Sequence, residues 1–157
     1  GDIIISTESD LSYPIQDTEK LLAKLTDGYD IALATPFEPG VKHENVPVHR
    51  LALSNMGTMI YTVFVGNHLS TYACFFRAYK KEVIKNITFK SNGFESQVEI
   101  LWRANQKGYK MAEVFSKQNY RADRPSKFNI PRELGRHLNF LCGTLIPGNV
   151  EHFFRKK

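Results

Sequence analysis

The sequence predicts an α/β protein in which short apolar strands alternate with helices. Residues 3–6 form a largely apolar, β-branched run, a helical pattern of apolar residues follows Pro14, and residues 29–34 form a second strand candidate with the apolar stretch Ile-Ala-Leu-Ala. Apolar runs of this length are typical of strands buried in a sheet. A strand, a helix and a strand in this order predict a βαβ unit with parallel pairing.

The first helix and strand follow from local patterns. We expect residues 3–6 to be buried on both faces, because three consecutive isoleucines leave no polar face. Pro14 suits the first turn of a helix, and Asp27-Gly28 is typical of a helix end. The residues predicted to form the buried face of this helix are Ile15, Leu21, Leu22 and Leu25.

The later elements are predicted by the same rules. In chain order they are a proline-containing loop over 35–47, a helix over 48–65, a strand candidate over 73–79, a short helix over 80–86, a longer helix ending at Lys107-Gly108, an extended segment over 109–120, a basic loop over 121–127 and a helix over 132–141. The inward residues predicted for the longer helix and the extended segment are Phe94, Val98, Leu101, Trp102, Met111, Val114 and Phe115.

Composition indicates a soluble globular domain. The chain has 157 residues, of which 42% are hydrophobic and 24% charged, enough for a substantial core. The net charge of +5 suggests an anionic partner, such as phosphates, a lipid surface or nucleic acid. Cys74 and Cys142 show no CxxC spacing, which favours a reducing compartment over a disulfide scaffold or a zinc site. No GxSxG, GxGxxG or P-loop pattern occurs, which excludes the usual hydrolase, dinucleotide-binding and NTPase motifs.

Two carboxylates follow the first strand. Glu8 and Asp10 lie two residues apart where the strand ends. Ligands of open α/β sheets bind beyond the carboxyl ends of the strands, and hard divalent cations prefer carboxylate oxygens. A cation site is therefore one interpretation of this pair. The other is that Asp10 or Ser12 caps the helix that begins near Pro14.

Basic residues recur on predicted loops and helix starts. Arg50 and Ser54 are four apart on a predicted helix, so a guanidinium and a hydroxyl could contact one phosphate. Each such residue is also compatible with an ordinary solvated surface. The other candidates weighed in the same way are Arg77, Arg121, Ser126, Lys127 and the acidic Glu99.

Six segments match one set of motifs in the right order. They are GDIIISTESDLSYPIQDTEKLLAKL, DGYDIALATPFEPG, RLALSNMG, FRAYKKEVI, NGFESQVEILWRANQKGYKMAEV and RADRPSK. Together they resemble the polyprenyl-phosphate (dolichyl-phosphate) mannosyltransferase branch of the family-2 glycosyltransferases, over about residues 1–128. The resemblance implies the second half of a GT-A-like nucleotide-sugar transferase domain, a mixed sheet flanked by helices. Residues 129–157 would be a C-terminal helical extension.

The resemblance also implies an activity. A hexose, with mannose the first candidate, would pass with inversion from GDP-mannose or UDP-glucose to a polyprenyl phosphate at the cytoplasmic face of a membrane, without nucleic acid as a partner. Mg²⁺ or Mn²⁺ would be held by Glu8, Asp10 and Ser12. The residues implied to be catalytic are Asp10, Arg50 and Arg121. Those implied to bind substrate are Ser54, Arg77, Glu99, Ser126 and Lys127.

The chain departs from the family's motifs at several positions. Glu8 and Thr71 stand where the family has Asp, and Cys74 and Arg124 stand where it has Gly. The segment that carries the nucleotide-base pocket in the family has no counterpart here, so we expect this sequence to be a piece of a longer protein. Two other functions stay open: a degenerate relative serving as a binding or assembly module, and a basic phosphate- or membrane-surface-binding domain.

Overall fold

The computed structural model describes residues 1–10, 12–37, 48–118 and 130–145. In chain order its elements are β1 (Ile3–Ser6), a 3-10 turn (Ile15–Asp17), α1 (Thr18–Thr26), β2 (Ile31–Thr35), α2 (Val48–Val65), β3 (Arg77–Lys80), α3 (Lys81–Asn86), α4 (Glu95–Gln106), β4 (Met111–Phe115) and α5 (Ile130–Leu145). Of the predicted loop over 35–47, residues 38–47 lie outside the described residues, as does the whole predicted loop over 121–127. The predicted helical extension over 129–157 contains α5, and its boundary stays a prediction.

The four strands form one mixed sheet in the order β1-β3-β2-β4. β3 runs antiparallel to both β1 and β2, whereas β2 and β4 are parallel. The predicted α/β class with a mixed sheet flanked by helices is confirmed. The predicted direct pairing of β1 with β2 is wrong, because β3 lies between them. A helical crossover fixes the common direction of two strands, but it leaves room for a third strand that arrives later in the chain.

The core has two parts, one on each face of the sheet. Because side chains alternate along a strand, Ile31 and Leu33 face α2, α3, α4 and α5, whereas Ala32 and Ala34 face α1. All five residues of β2 are buried. The buried residues of α1 are Leu21 and Leu25.

Several residues predicted to face inward are exposed. Ile3, Ile4 and Ile5 are 44%, 39% and 41% exposed, so the expectation that β1 is buried on both faces is wrong. β1 is an edge strand in the described sheet, and the helices cover the strands beside it instead. Three further predicted core residues lie at element ends and are also exposed: Ile15, Phe94 and Phe115.

The helix α5 packs through aromatic rings against α2 and α4. Phe140 is buried and meets Phe64 and Trp102 edge-on. His137 Nδ1 is hydrogen-bonded to the Tyr61 hydroxyl. Burial lowers the pKa of His137, although the nearby carboxylates Glu95 and Glu133 oppose the shift. The imidazole is therefore held in its neutral form, in which Nδ1 can accept a hydrogen bond from the tyrosine hydroxyl.

This contact predicts a pH dependence of stability. The unfolded chain protonates His137 near pH 6.5, whereas the folded chain does so only at lower pH, so the free energy of unfolding should fall as pH drops below that value. Urea unfolding at pH 7 and pH 5 measures the loss. The His137→Asn variant should lose less stability on acidification than the native chain, and the exposed His68→Asn variant should behave like the native chain. Equal losses in all three proteins would contradict the prediction.

Candidate functional site

One edge of the sheet gathers the predicted acidic loop and the loop that precedes β3. β1 and β2 run in the same direction, so their carboxyl ends lie at one edge, and antiparallel β3 begins there. We call this the carboxyl edge; in the described chain it comprises residues 7–10, 12–13, 35–37 and 66–76. The Ser6 hydroxyl donates to the Phe75 carbonyl at 2.7 Å and thereby joins the end of β1 to the loop before β3. This edge is where ligands of open α/β sheets bind.

Ser12 brings the two predicted carboxylates together. Its N–H donates to Asp10 Oδ1 at 2.9 Å, and its hydroxyl donates to Glu8 Oε2. Glu8 is half-buried and Asp10 is exposed. Neither the 3-10 turn nor α1 begins with a side-chain cap, so the alternative that Asp10 or Ser12 caps this helix is not supported. The three side chains instead present their oxygens around one turn.

Neutral groups line the inner side of this turn. Tyr13 is buried and packs on Phe76, with ring centroids 5.8 Å apart. Burial, with smaller contributions from Cys74 and Glu8, raises the pKa of Tyr13, and burial also raises the pKa of the Cys74 thiol. Both groups therefore keep their protons at neutral pH, and the negative charge of this turn rests on Glu8 and Asp10.

The oxygen set fits a hard divalent cation. Carboxylate and hydroxyl oxygens suit Mg²⁺ or Mn²⁺, and Mg²⁺ is commonly held by one or two carboxylates while substrate phosphates complete its shell. Within the described ranges, no group of three or more His, Cys, Asp or Glu residues could hold a metal ion. Glu8 and Asp10 would thus form a partial site, whose remaining positions suit a phosphate-bearing ligand.

Glu113 holds the loop before β3, and the sequence analysis did not single it out. Its carboxylate accepts the Ser70 N–H at 2.9 Å, the Ser70 hydroxyl at 2.9 Å and the Thr71 N–H at 3.2 Å. The Ser70 hydroxyl is also 2.7 Å from the hydroxyl of Thr35 at the end of β2. The sequence feature that could have indicated Glu113 is that it is the one acidic residue within the short, otherwise apolar strand β4.

Arg77 lies inside the protein. It is 0% exposed, and its guanidinium donates to the carbonyls of Tyr72 at 2.7 Å and Gln97 at 2.9 Å. This guanidinium joins the loop before β3 to α4. The predicted role of Arg77 in binding substrate stays a prediction.

Glu99 is also buried, and its predicted role in binding substrate likewise stays a prediction. It is 1% exposed, pairs with Arg103 at 2.7 Å and accepts the N–H groups of Lys90 and Ser91. Burial alone would raise its pKa, but the hydrogen bonds from Ser91 and Arg103 outweigh burial and lower it. Glu99 therefore stays ionised and holds the segment before α4.

The predicted phosphate-binding residues stay predictions. Arg50 and Ser54 lie on α2, and their spacing of four places them on one helix face; their side chains lie outside what the structure describes. The other three, Arg121, Ser126 and Lys127, fall outside the described residues altogether.

The buried guanidinium gives a test of this assignment. Replacing Arg77 with Met leaves two buried carbonyls without donors, so the free energy of unfolding should fall by about 2–4 kcal/mol. Chemical denaturation measures the change. The matched control Lys85→Met, at an exposed position of α3, should change the free energy of unfolding by less than about 0.5 kcal/mol. An Arg77→Met protein as stable as the native chain would contradict the structural role of this buried arginine.

Comparisons with known proteins agree with the resemblance. No family model matches the chain. The polyprenol monophosphomannose synthase of Mycolicibacterium smegmatis is 27% identical over 115 residues, which are 71% of this chain and 43% of that protein. The dolichol-phosphate mannosyltransferase of Pyrococcus furiosus is 29% identical over 64% of this chain and 29% of its own length. The dolichyl-phosphate hexose transferase of Haloferax volcanii is 28% identical over 71% of this chain and 48% of its own length.

The chain thus spans less than half the length of these relatives. Its mixed sheet and these matches are consistent with the predicted fragment of a GT-A-like domain. The predicted similarity to polyprenyl- and dolichyl-phosphate mannosyltransferases of the family-2 glycosyltransferases is confirmed.

Proposed function

We propose that this chain is part of a glycosyltransferase that moves a hexose, with mannose the first candidate, from a nucleotide-sugar to a polyprenyl phosphate. The observation that carries the proposal is the turn at the end of β1, where Ser12 is hydrogen-bonded to both Glu8 and Asp10. Relatives named as transferases to polyprenyl and dolichyl phosphates support the reaction class.

The acidic turn suits the donor side of the reaction. Glu8, Asp10 and Ser12 would hold Mg²⁺ or Mn²⁺ together with the diphosphate of GDP-mannose or UDP-glucose. Bound there, the ion would supply positive charge where the diphosphate leaving group gains negative charge. Without such a counter-charge the two carboxylates would repel the diphosphate, so the turn is unsuited to binding the donor alone.

On the acceptor side, the reaction would need cations that hold the acceptor phosphate and orient it toward the sugar. A phosphate monoester is already an anion at neutral pH, so its oxygen can attack the sugar carbon without a strong general base. In the proposed reaction that oxygen forms the new bond, the bond from the sugar carbon to the diphosphate breaks on the opposite side, and the configuration inverts. Arg50, Arg121 and Lys127, with the hydroxyls of Ser54 and Ser126, would hold the acceptor phosphate.

Two exposed apolar stripes support a lipid acceptor. On α2, Met59 and Val63 are 74% and 81% exposed, and Met56 and Ile60 share their helix face. On α5, which packs against α2 through Phe64 and Phe140, Leu134 and Leu138 are also exposed. By helix geometry this α2 stripe lies roughly 150° around the helix axis from Arg50 and Ser54. The stripe would therefore hold the protein at the cytoplasmic face of a membrane, where the acceptor lies, and would not continue the predicted head-group site along one helix face.

No helix in the described part of the chain is long and apolar enough to span a bilayer. The proposed contact is therefore one of an exposed helix face with a membrane surface. Apolar patches of this kind on a protein surface mark sites of interaction with proteins or membranes.

A second function is favoured by one observation. By the resemblance, Thr71 stands where the family has Asp, and the Thr71 N–H donates to the Glu113 carboxylate. A relative that had lost catalysis would keep the fold and bind lipid or protein without using a donor. Retained vesicle binding combined with no response to Mn²⁺ and diphosphate would support this function.

Metal-dependent diphosphate binding tests the acidic turn. We expect Mn²⁺, followed by electron paramagnetic resonance, to bind this chain more tightly when inorganic diphosphate or GDP is present. Because Asp10 would supply a ligand oxygen, Asp10→Asn should weaken this binding by about tenfold or more. Asp27→Asn removes an exposed carboxylate at the far end of α1 and should leave binding unchanged. Equal binding by both variants would contradict the proposed site.

Binding to vesicles tests the lipid-facing stripe. We expect the chain to float with vesicles of phosphatidylcholine and phosphatidylglycerol. Replacing Met59 and Val63 together with Asp should strongly reduce flotation, because two charges would have to enter the interface. The charge-matched double variant Gln106→Asp and Gln118→Asp alters exposed polar positions and should still float. Equal loss in both variants would indicate attraction by net charge alone.

A further inference from the structure

Two aromatic side chains, Phe75 and Phe94, form a ledge at the carboxyl edge. Phe75 lies in the loop before β3 and Phe94 immediately precedes α4; their ring centroids are 5.4 Å apart and their planes are nearly perpendicular, at 80°. Phe94 is 37% exposed, whereas the next two residues, Glu95 and Ser96, are buried. Single exposed aromatic side chains are common on protein surfaces, so exposure alone indicates no site. We call the pair the aromatic ledge.

The aromatic ledge lies beside Glu8 of the acidic turn. The ladder between β1 and β3 pairs Ser6 with Arg77, and continuing this register by two residues places Glu8 opposite Phe75. The Ser6 hydroxyl donates to the Phe75 carbonyl at 2.7 Å, so the two segments are still in contact at this point. Opposite residues in an antiparallel ladder have Cα atoms roughly 5 Å apart. The ledge and the proposed metal site are therefore neighbours.

Hydrogen bonds on either side hold the aromatic ledge in place. The Arg77 guanidinium donates to the Gln97 carbonyl at 2.9 Å, which ties the start of β3 to the first turn of α4. The hydroxyl and the N–H of Ser96 donate to the Gly93 carbonyl at 2.7 Å and 3.1 Å, on either side of Phe94. A surface that is already fixed loses little conformational entropy when a ligand binds to it.

The chemistry and the position of a hexose match this ledge. The face of an aromatic ring carries partial negative charge, and the C–H groups on one side of a sugar ring form an apolar face with partial positive charge. In a nucleotide-sugar the hexose is bonded directly to the diphosphate, so a diphosphate held with an ion at Glu8 and Asp10 would bring the sugar to the ledge.

The other apolar parts of the two substrates are less well placed. The nucleobase is separated from the diphosphate by a ribose. The polyprenyl chain has a larger surface available on the exposed stripes of α2 and α5, which together comprise Met56, Met59, Ile60, Val63, Leu134 and Leu138. The hexose is therefore the occupant that the position of the ledge favours.

We propose that Phe75 and Phe94 form the hexose subsite of the donor, with the sugar ring stacked on the aromatic ledge. This inference rests on the proposed function and deepens it: the acidic turn would bind the diphosphate, and the ledge would bind the sugar of GDP-mannose or UDP-glucose. Phe94, the more exposed of the two rings, would supply most of the contact.

Nucleotide titrations measure the contribution of the sugar. GDP is compared with GDP-mannose, and UDP with UDP-glucose, each with Mg²⁺. We expect at least one nucleotide-sugar to bind about fivefold more tightly than its nucleoside diphosphate. Phe94→Leu stays apolar but removes the ring, so it should abolish this difference and leave binding of the nucleoside diphosphate unchanged. Phe94→Tyr should keep the difference, as should the matched control Phe89→Leu at another exposed aromatic position.

Proton chemical shifts give a second readout on the native chain. Protons above an aromatic ring move upfield, so the hexose protons should move upfield on binding with Mg²⁺ and should not do so in Phe94→Leu. Geranyl phosphate serves as a short soluble acceptor. Upfield shifts of its methyl protons, with unchanged hexose protons, would overturn the proposal and assign the ledge to the acceptor chain.

The remaining outcomes separate this inference from the proposed function. Nucleoside diphosphates that bind without any gain from the sugar, or a gain that Phe94→Leu retains, would overturn the hexose subsite alone. Absence of Mg²⁺-dependent binding for every nucleotide would contradict the acidic turn as the donor site, and the hexose subsite would fail with it.

Discussion

The arrangement of the described molecule depends on β3, which is hydrogen-bonded on both of its edges. Arg77–Lys80 pairs with β1 on one side and with β2 on the other, antiparallel to both. Its first residue is a fully buried arginine whose guanidinium binds the carbonyls of Tyr72 and Gln97. Burying an arginine is costly, and these two hydrogen bonds offset part of that cost, although Nε has no hydrogen-bond partner in the described chain. The two bonds hold β3 and the loop before it together. β3 follows β1 and β2 in the sequence, yet it lies between them in the sheet and sets their spacing.

The carboxyl edge follows from this insertion. An antiparallel strand starts where its parallel neighbours end, so the loop before β3 must lie beside the turn that follows β1. Ser6 and Phe75 join the two segments directly, and Glu113 holds the other end of the loop through Ser70 and Thr71. The acidic turn therefore lies against a loop that is fixed at both ends. A pre-formed oxygen cluster costs less conformational entropy when a ligand binds than one that must first be ordered.

Local patterns predicted the elements, and long-range contacts decided their environment. The helix over 48–65 and the strand over 3–6 were both confirmed, because periodicity and β-branching act within a few residues. The prediction that Ile3, Ile4 and Ile5 are buried was wrong, because burial depends on which strand lies beside β1 in the sheet. The interior positions of Arg77 and Glu99 were not predicted, because a sequence does not distinguish a charge held inside the protein from one on its surface. Only the structure revealed the carbonyls and amides that hold them. Glu113 was missed for the converse reason: its partners are more than forty residues away along the chain.

The acidic and basic groups of the proposed site come from different parts of the sequence. Glu8 and Asp10 lie on a turn fixed by Ser12 and by the β1–β3 ladder, whereas the cations proposed to hold the acceptor are Arg50, Arg121 and Lys127. The proposed reaction between two phosphate-bearing substrates would use groups of both signs, because carboxylates alone would repel both substrates and cations alone would not distinguish donor from acceptor. With an ion on the acidic turn, donor diphosphate and acceptor phosphate would each have a counter-charge of their own. In the proposed reaction the donor would therefore bind together with the metal, and the acceptor phosphate would be held by the basic groups.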